Sequence, residues 1–172
     1  MIIKVKSPGR INLIGEHTDY NGGYVLPGTI NKAINFEIFK VKKVYCEVKS
    51  AKINKSLIFE INNIKKSETH WHNYILGTID YFLSKKNKIT PFKCSIKSNL
   101  PIGSGISSSS ALISGFAKAI IELFELKYSK SDIVKIVSYV ERNFIGLRGG
   151  IMDQFTINYG CLLYTSPSPR DA

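Results

Sequence analysis

Gly9-Arg10-Ile11-Asn12-Leu13-Ile14-Gly15-Glu16-His17-Thr18-Asp19-Tyr20 packs an arginine, two carboxylates, a histidine and a threonine into one short stretch bracketed by glycines. Ordinary core strands do not carry this mixture. Apolar residues such as Ile11, Leu13 and Ile14 hold the segment while its polar residues converge on something. A ligand rich in hydroxyls, such as a sugar, suits them, because hydroxyls need carboxylate and imidazole partners in fixed geometry.

Outward from this stretch, Met1-Ile2-Ile3-Lys4-Val5-Lys6 alternates like a first strand and lacks the apolar core of a signal peptide. Short β-rich segments are expected at 3–7, 10–15, 33–40, 45–50 and 57–61, separated by Asn, Gly, Pro and Lys turns. Thr69 is a candidate cap for a helix over 71–84, where Trp71, Tyr74, Ile75, Thr78, Ile79, Phe82 and Leu83 fall at helical spacing. A strand over 92–97 leads into a glycine-rich turn and a long apolar helix over 108–126. A further helix over 130–144 has Ser129 as its cap and Asp132 in its first turn. A β-rich sheet, a helix, a strand, a glycine-rich loop and two helices describe an α+β domain.

With 172 residues the chain is one domain with enough apolar content for a core. No segment approaches the roughly 20 apolar residues of a membrane span. Cys46, Cys94 and Cys161 show no paired or metal-like spacing, so a reducing, cytoplasmic setting is expected. The sequon Asn54-Lys55-Ser56 carries no meaning without secretion. The formal charge of +11 raises nucleic-acid binding. The lysines are scattered, however, and no basic stripe interleaved with aromatics is evident, so solvated surface explains them and no nucleic-acid partner is expected.

Asn99-Leu100-Pro101-Ile102-Gly103-Ser104-Gly105-Ile106-Ser107-Ser108-Ser109-Ser110-Ala111 follows a strand and opens a helix. Glycines let backbone approach a phosphate, and N–H groups at a helix start favour an anion. A tight loop or cap explains the same residues as readily. The run is neither a Walker A loop nor a dinucleotide Gly-x-Gly-x-x-Gly. Glu141, near a helix end, reads as a surface residue or a ligand, and Asp153 as a turn, a cap or an acid–base group. Trp71 reads as plain core or as an aromatic platform.

Together these segments resemble the GHMP small-molecule kinases. The first run, continued through Asn21-Gly22-Gly23, resembles their galactokinase signature. The serine-rich loop resembles their motif Pro-x-Gly-x-Gly-Leu-Ser-Ser-Ser-Ala, with Ile106 in place of Leu and Ser110 where Ala is usual. Gly149 departs from the family's usual Cys before Gly-Ile-Met-Asp. The resemblance implies a GHMP kinase N-terminal domain over 1–160, related to the second domain of ribosomal protein S5, without the C-terminal domain of the family. It implies ATP-dependent phosphorylation of the anomeric hydroxyl of galactose, with Asp153 as catalytic base and Arg10 stabilising the transferring charge. It further implies Glu16, His17, Thr18 and Asp19 at the sugar. Gly103, Ser104, Gly105, Ile106, Ser107, Ser108 and Ser109 would lie around the phosphates, Trp71 at the adenine, and Ser109 and Glu141 on Mg²⁺. The rivals are a sugar sensor that signals through a protein partner, a kinase for a related sugar, and a nucleic-acid-binding module.

At Cys161-Leu162-Leu163-Tyr164-Thr165-Ser166-Pro167-Ser168-Pro169-Arg170-Asp171 the character changes. The stretch reads as an apolar run followed by a Ser/Pro linker. It also resembles a translated transposase-type sequencing adapter, which implies that the native sequence stops at Gly160 and that 161–172 is read-through. Nothing functional is assigned to it.

Overall fold

Strict alternation in the central strand sets the architecture: Ile34, Phe36 and Ile38 are buried, while Asn35 and Glu37 between them are exposed. Such a strand gives one face to a core and the other to water. In the computed structural model, which describes residues 1–15, 18, 21–101, 103–147 and 149–160, five strands form one mixed sheet. They are β1 (Ile3–Asn12), β2 (Pro27–Lys40), β3 (Cys46–Ser50), β4 (Lys55–Phe59) and β5 (Phe92–Ser98), in the spatial order β1-β2-β5-β3-β4. All neighbours are antiparallel except β3 and β5, which run parallel. Across the core face the register pairs Val5 with Phe36, Phe36 with Ile96, Ile38 with Cys94, and Cys94 with Val48.

Helix α1 (His70–Ser84) connects β4 to β5, and α2 (Ser108–Leu123), α3 (Lys130–Val140) and α4 (Met152–Tyr159) follow. Helix α2 lies against β1 and β2, α1 and α3 pack beside it, and α4 touches β1, β2, α2 and α3. Phe36, Phe82, Phe92 and Phe116 are almost completely buried, and the Phe92 and Phe116 rings lie 6.0 Å apart. Each contributes about 1.5–3 kcal/mol by leaving water. The expected α+β domain is therefore the observed one.

The differences from expectation are local. The expected segment 3–7 and the first three residues of the one expected over 10–15 form one strand, β1, which ends at Asn12 and has a slip in register between Pro8 and Arg10. Strand β2 begins at Pro27 because Arg10, Ile11 and Asn12 of β1 pair with Thr29, Gly28 and Pro27. Gly28, Asn31 and Lys32 hid that extension by interrupting the alternation. Helix α2 stops at Leu123, and Glu125 turns the chain with φ 54°. The helix expected over 130–144 ends at Val140 and continues as a π-helical turn, Glu141–Ile145. Thr69 occupies the start of α1 without a capping bond; instead the Ser67 amide donates to Asn73 Oδ1 and Asn73 Nδ2 to the Ser67 carbonyl. Residues 161–172, and with them Cys161, lie outside the described residues.

Ser129 does cap α3. Its hydroxyl accepts from the Asp132 amide, and the Asp132 carboxylate accepts from the Ser129 amide. Hydrogen bonds from the Ser129 side chain and backbone, with help from Lys135, hold the Asp132 carboxyl down at about 2. A depressed carboxyl stabilises the fold above its ordinary range and loses that effect as pH falls towards 2. Ser129→Ala is expected to cost about 1 kcal/mol at pH 7 in denaturant melts. The loss should shrink between pH 4 and 2, and a cost that does not depend on pH would contradict the capping box.

Candidate active site

The slip in β1 is where the candidate site begins. A bulge re-aims the side chain that follows it, here Arg10. A β-carbon on Gly9 would stand 2.6 Å from Leu100 Cδ2 and 3.2 Å from the Ile106 carbonyl oxygen, so glycine lets the strand lie close to the serine-rich loop. The Arg10 amide donates to the Ile106 carbonyl (3.2 Å) and Arg10 Nη1 to the Gly105 carbonyl (2.9 Å), tying strand to loop.

The loop turns at Gly103 (φ 71°) and Gly105 (φ 68°), values that other residues adopt reluctantly. Pro101, Gly103, Ser104 and Gly105 are exposed, and the chain then enters α2, whose first-turn N–H groups form a site of partial positive charge. Ser104 folds back to donate to the Pro101 carbonyl (3.2 Å). Ser108 and Ser109 occupy the first turn of α2.

Helix α4 brings Asp153 to the same place in its first turn. Arg10 Nε and Nη2 lie 2.7 Å and 2.5 Å from Asp153 Oδ1, and the Ser107 hydroxyl donates to Oδ2 at 2.5 Å. The Arg10 and Asp153 side chains are only 13% and 30% exposed, so water screens this pair far less than it screens a surface ion pair. The π-helical turn puts Glu141 nearby, and Ser110 donates to its Oε1 at 3.1 Å. Burial pushes the Glu141 carboxyl up and the Ser110 hydrogen bond opposes this. The Asp153 charge raises it further, and Arg142 pulls it back. Among the described residues no three or more His, Cys, Asp or Glu side chains cluster as a metal cage.

Beside the loop lies an open groove of about 460 Å³, lined by Ile34, Ile96, Leu100, Trp71, Tyr74, Ser108, Ser109 and Leu112. The Trp71 Nε1 is buried without a hydrogen-bond partner among the described residues. Lys52, on the turn between β3 and β4, also lines the groove and donates to the Leu100 carbonyl. Sequence reading missed Lys52, because one lysine in a polar turn gives no signal. It missed α4 as well, a helix of two turns preceded by glycines. The Thr18 hydroxyl bonds within its own loop, donating to the Gly15 carbonyl at 2.8 Å and the Tyr24 carbonyl at 3.0 Å. Glu16, His17 and Asp19 lie outside the described residues.

Residues 73–161, half of the chain, match the GHMP kinases N terminal domain. The chain belongs to the GHMP kinase family. Residues 3–38 of this GHMP kinase also match the galactokinase galactose-binding signature. A galactokinase from Thermosipho africanus is 46% identical over 153 residues, which are 89% of this chain and 42% of that protein. The Lactococcus lactis galactokinase, solved in complex with galactose, superposes with a TM-score of 0.85 at 34% identity, covering 92% of this chain and 42% of its own. The Methanococcus jannaschii mevalonate kinase superposes at 0.78 with 29% identity, over 93% and 51%. The chain thus spans less than half the length of the galactokinases it matches. Among the described residues no helix is long and apolar enough to cross a membrane.

The raised Glu141 carboxyl has a signed consequence. A group whose folded pKa lies above its ordinary value favours the fold at acid pH and loses that contribution as pH rises through the folded value. Glu141→Gln should therefore melt at the wild-type temperature near pH 4 and above it at pH 8. A variant that melts lower at pH 8 than the wild type would contradict the burial argument.

Proposed function

We propose that this chain forms the sugar- and phosphate-binding half of a galactokinase. Such an enzyme transfers the γ-phosphoryl group of ATP to the anomeric hydroxyl of galactose, giving galactose 1-phosphate and ADP. One observation carries the reading: a carboxylate, Asp153, is held between Arg10 and Ser107 beside a glycine-turned loop at a helix N-terminus. It occurs in a chain whose residues 3–38 match a galactose-binding signature. Phosphoryl transfer needs little covalent help; it needs positioning, positive charge on the moving group and a carboxylate at the attacking oxygen.

In this reading Asp153 accepts the proton of the anomeric hydroxyl as its oxygen attacks the γ-phosphorus. Arg10, already within 2.7 Å of Asp153, meets the charge of the transferring group. Gly103 to Ser109 cradle the phosphates with backbone N–H groups and with the hydroxyls other than that of Ser107, which Asp153 holds; the groove under Trp71 takes the adenine, whose ring nitrogens suit the unpartnered indole N–H. Glu16, His17, Thr18 and Asp19 supply acceptors and donors for the sugar hydroxyls. Glu141, a partly buried carboxylate that accepts from Ser110, the residue next to Ser109, fits Mg²⁺, which takes one or two carboxylates and completes its shell with phosphates and water. Bound there, Mg²⁺ would neutralise phosphate charge. Cys46 and Cys94 are buried and unpaired, with burial pushing their thiols up to about 11 and about 12, which supports a reducing cytoplasm as the setting.

Because the galactokinases it matches are more than twice as long, binding of galactose and ADP is the activity expected of this chain alone. Calorimetry with galactose, N-acetylgalactosamine and arabinose tests the reading. Galactose should bind, and Asp153→Ala should weaken it about tenfold or more, the loss of a charged hydrogen bond. Binding of another sugar in its place would shift the substrate, and the absence of any sugar binding would overturn the proposal.

A further inference from the structure

Ser107 breaks three local rules at once. It stands at the N-cap of α2, yet its side chain makes no bond to the first-turn N–H groups that a serine there ordinarily serves. Its backbone is left-handed, with φ 56° and ψ 45°, where glycine is the default and a β-carbon is penalised. Third, its hydroxyl is committed to Asp153 Oδ2, while Arg10 brings both Nε and Nη2 onto the other oxygen, Oδ1. A guanidinium ordinarily grips a carboxylate fork to fork, one nitrogen to each oxygen. Here a buried serine holds the second oxygen instead, and a strained backbone keeps it there.

We propose that Ser107 is a positioning residue for the proton-accepting oxygen of Asp153. It keeps Arg10 off Oδ2 and occupies, in the absence of sugar, the place the acceptor hydroxyl takes. This rests on the galactokinase reading above and adds a role that the phosphate contact implied by the loop motif does not contain. On sugar binding one O–H donor replaces another at Oδ2, so the carboxylate never loses a partner and the Arg10–Oδ1 contact stays in place. During transfer the sugar hydroxyl proton passes to Oδ2, the sugar oxygen bonds to the γ-phosphorus, and the bond from phosphorus to the ADP oxygen breaks. Without Ser107, Arg10 would close over both oxygens and the base would be masked.

Ser107→Gly and Ser107→Ala separate this role from a structural one. The glycine variant relieves the left-handed backbone and should melt no lower than the wild type, up to about 3 °C higher. Both variants should nevertheless weaken galactose about tenfold in calorimetry, while ADP with Mg²⁺ stays within about twofold, since one lost hydrogen bond at Oδ2 is worth roughly a factor of ten. Galactose affinity that is unchanged or tighter in Ser107→Gly, or ADP weakened as much as galactose, would overturn the proposal. A crystal structure of Ser107→Gly decides the same point without ligand. Arg10 spanning Oδ1 and Oδ2 is expected, and Arg10 still confined to Oδ1 would refute it. Failure of the wild type to bind any sugar would count against the galactokinase reading, while the Arg10 geometry would still decide the role of Ser107.

Discussion

The contact on which the candidate site depends is the junction of Arg10, Asp153 and Ser107. It ties together three segments that are far apart in sequence: the bulged end of β1, the serine-rich loop with the start of α2, and the short helix α4. Each is placed by an independent constraint. Gly9 lets the strand approach, Gly103 and Gly105 turn the loop, and α4 packs on β1, β2, α2 and α3. A charge-assisted pair shielded from water is strong only when its geometry is good and its remaining lone pairs are satisfied. Here the Ser107 hydroxyl donates to the free carboxylate oxygen, and the Gly105 carbonyl accepts from the remaining guanidinium nitrogen Nη1.

The two carboxylates near the loop sit in different surroundings, and that difference suits them to the different tasks proposed for them. Asp153 has a guanidinium and a hydroxyl on it, whereas Glu141 has a hydroxyl from Ser110, no ion pair among the described residues and a carboxyl that burial pushes up. The first environment suits a group that exchanges hydrogen-bond donors with a ligand. The second leaves a carboxylate short of positive charge, as a cation ligand should be. The open groove under Trp71 is mostly apolar and reaches Ser108 and Ser109, so a flat ring there would direct an attached phosphate chain towards the same loop.

Much of this was legible before any coordinates, and the reasons are physical. Period-two alternation in β2 and β5 and period-3.6 spacing in α1 report burial directly, which made the α+β class readable. The Ser129 cap was readable because a capping box is a local code. Strand β1 was read as two pieces because a bulge breaks alternation without breaking the strand. Helix α4 was missed because a short helix after two glycines is stabilised by tertiary packing rather than by its own pattern. Arg10, Asp153, Glu141 and the glycine loop stood out as residue types, but their assembly at one point came from long-range pairing that no local pattern encodes. Ser107 and Lys52 were least legible as individuals, since a backbone angle and a side-chain reach leave no trace in sequence.

The most direct measurement is a crystal structure of this chain with galactose. The account predicts the sugar ring beside β1, with its anomeric hydroxyl about 2.6–3.2 Å from Asp153 Oδ2 and the Ser107 hydroxyl displaced from that oxygen. A ring ordered elsewhere, or a different hydroxyl facing Asp153, would contradict it.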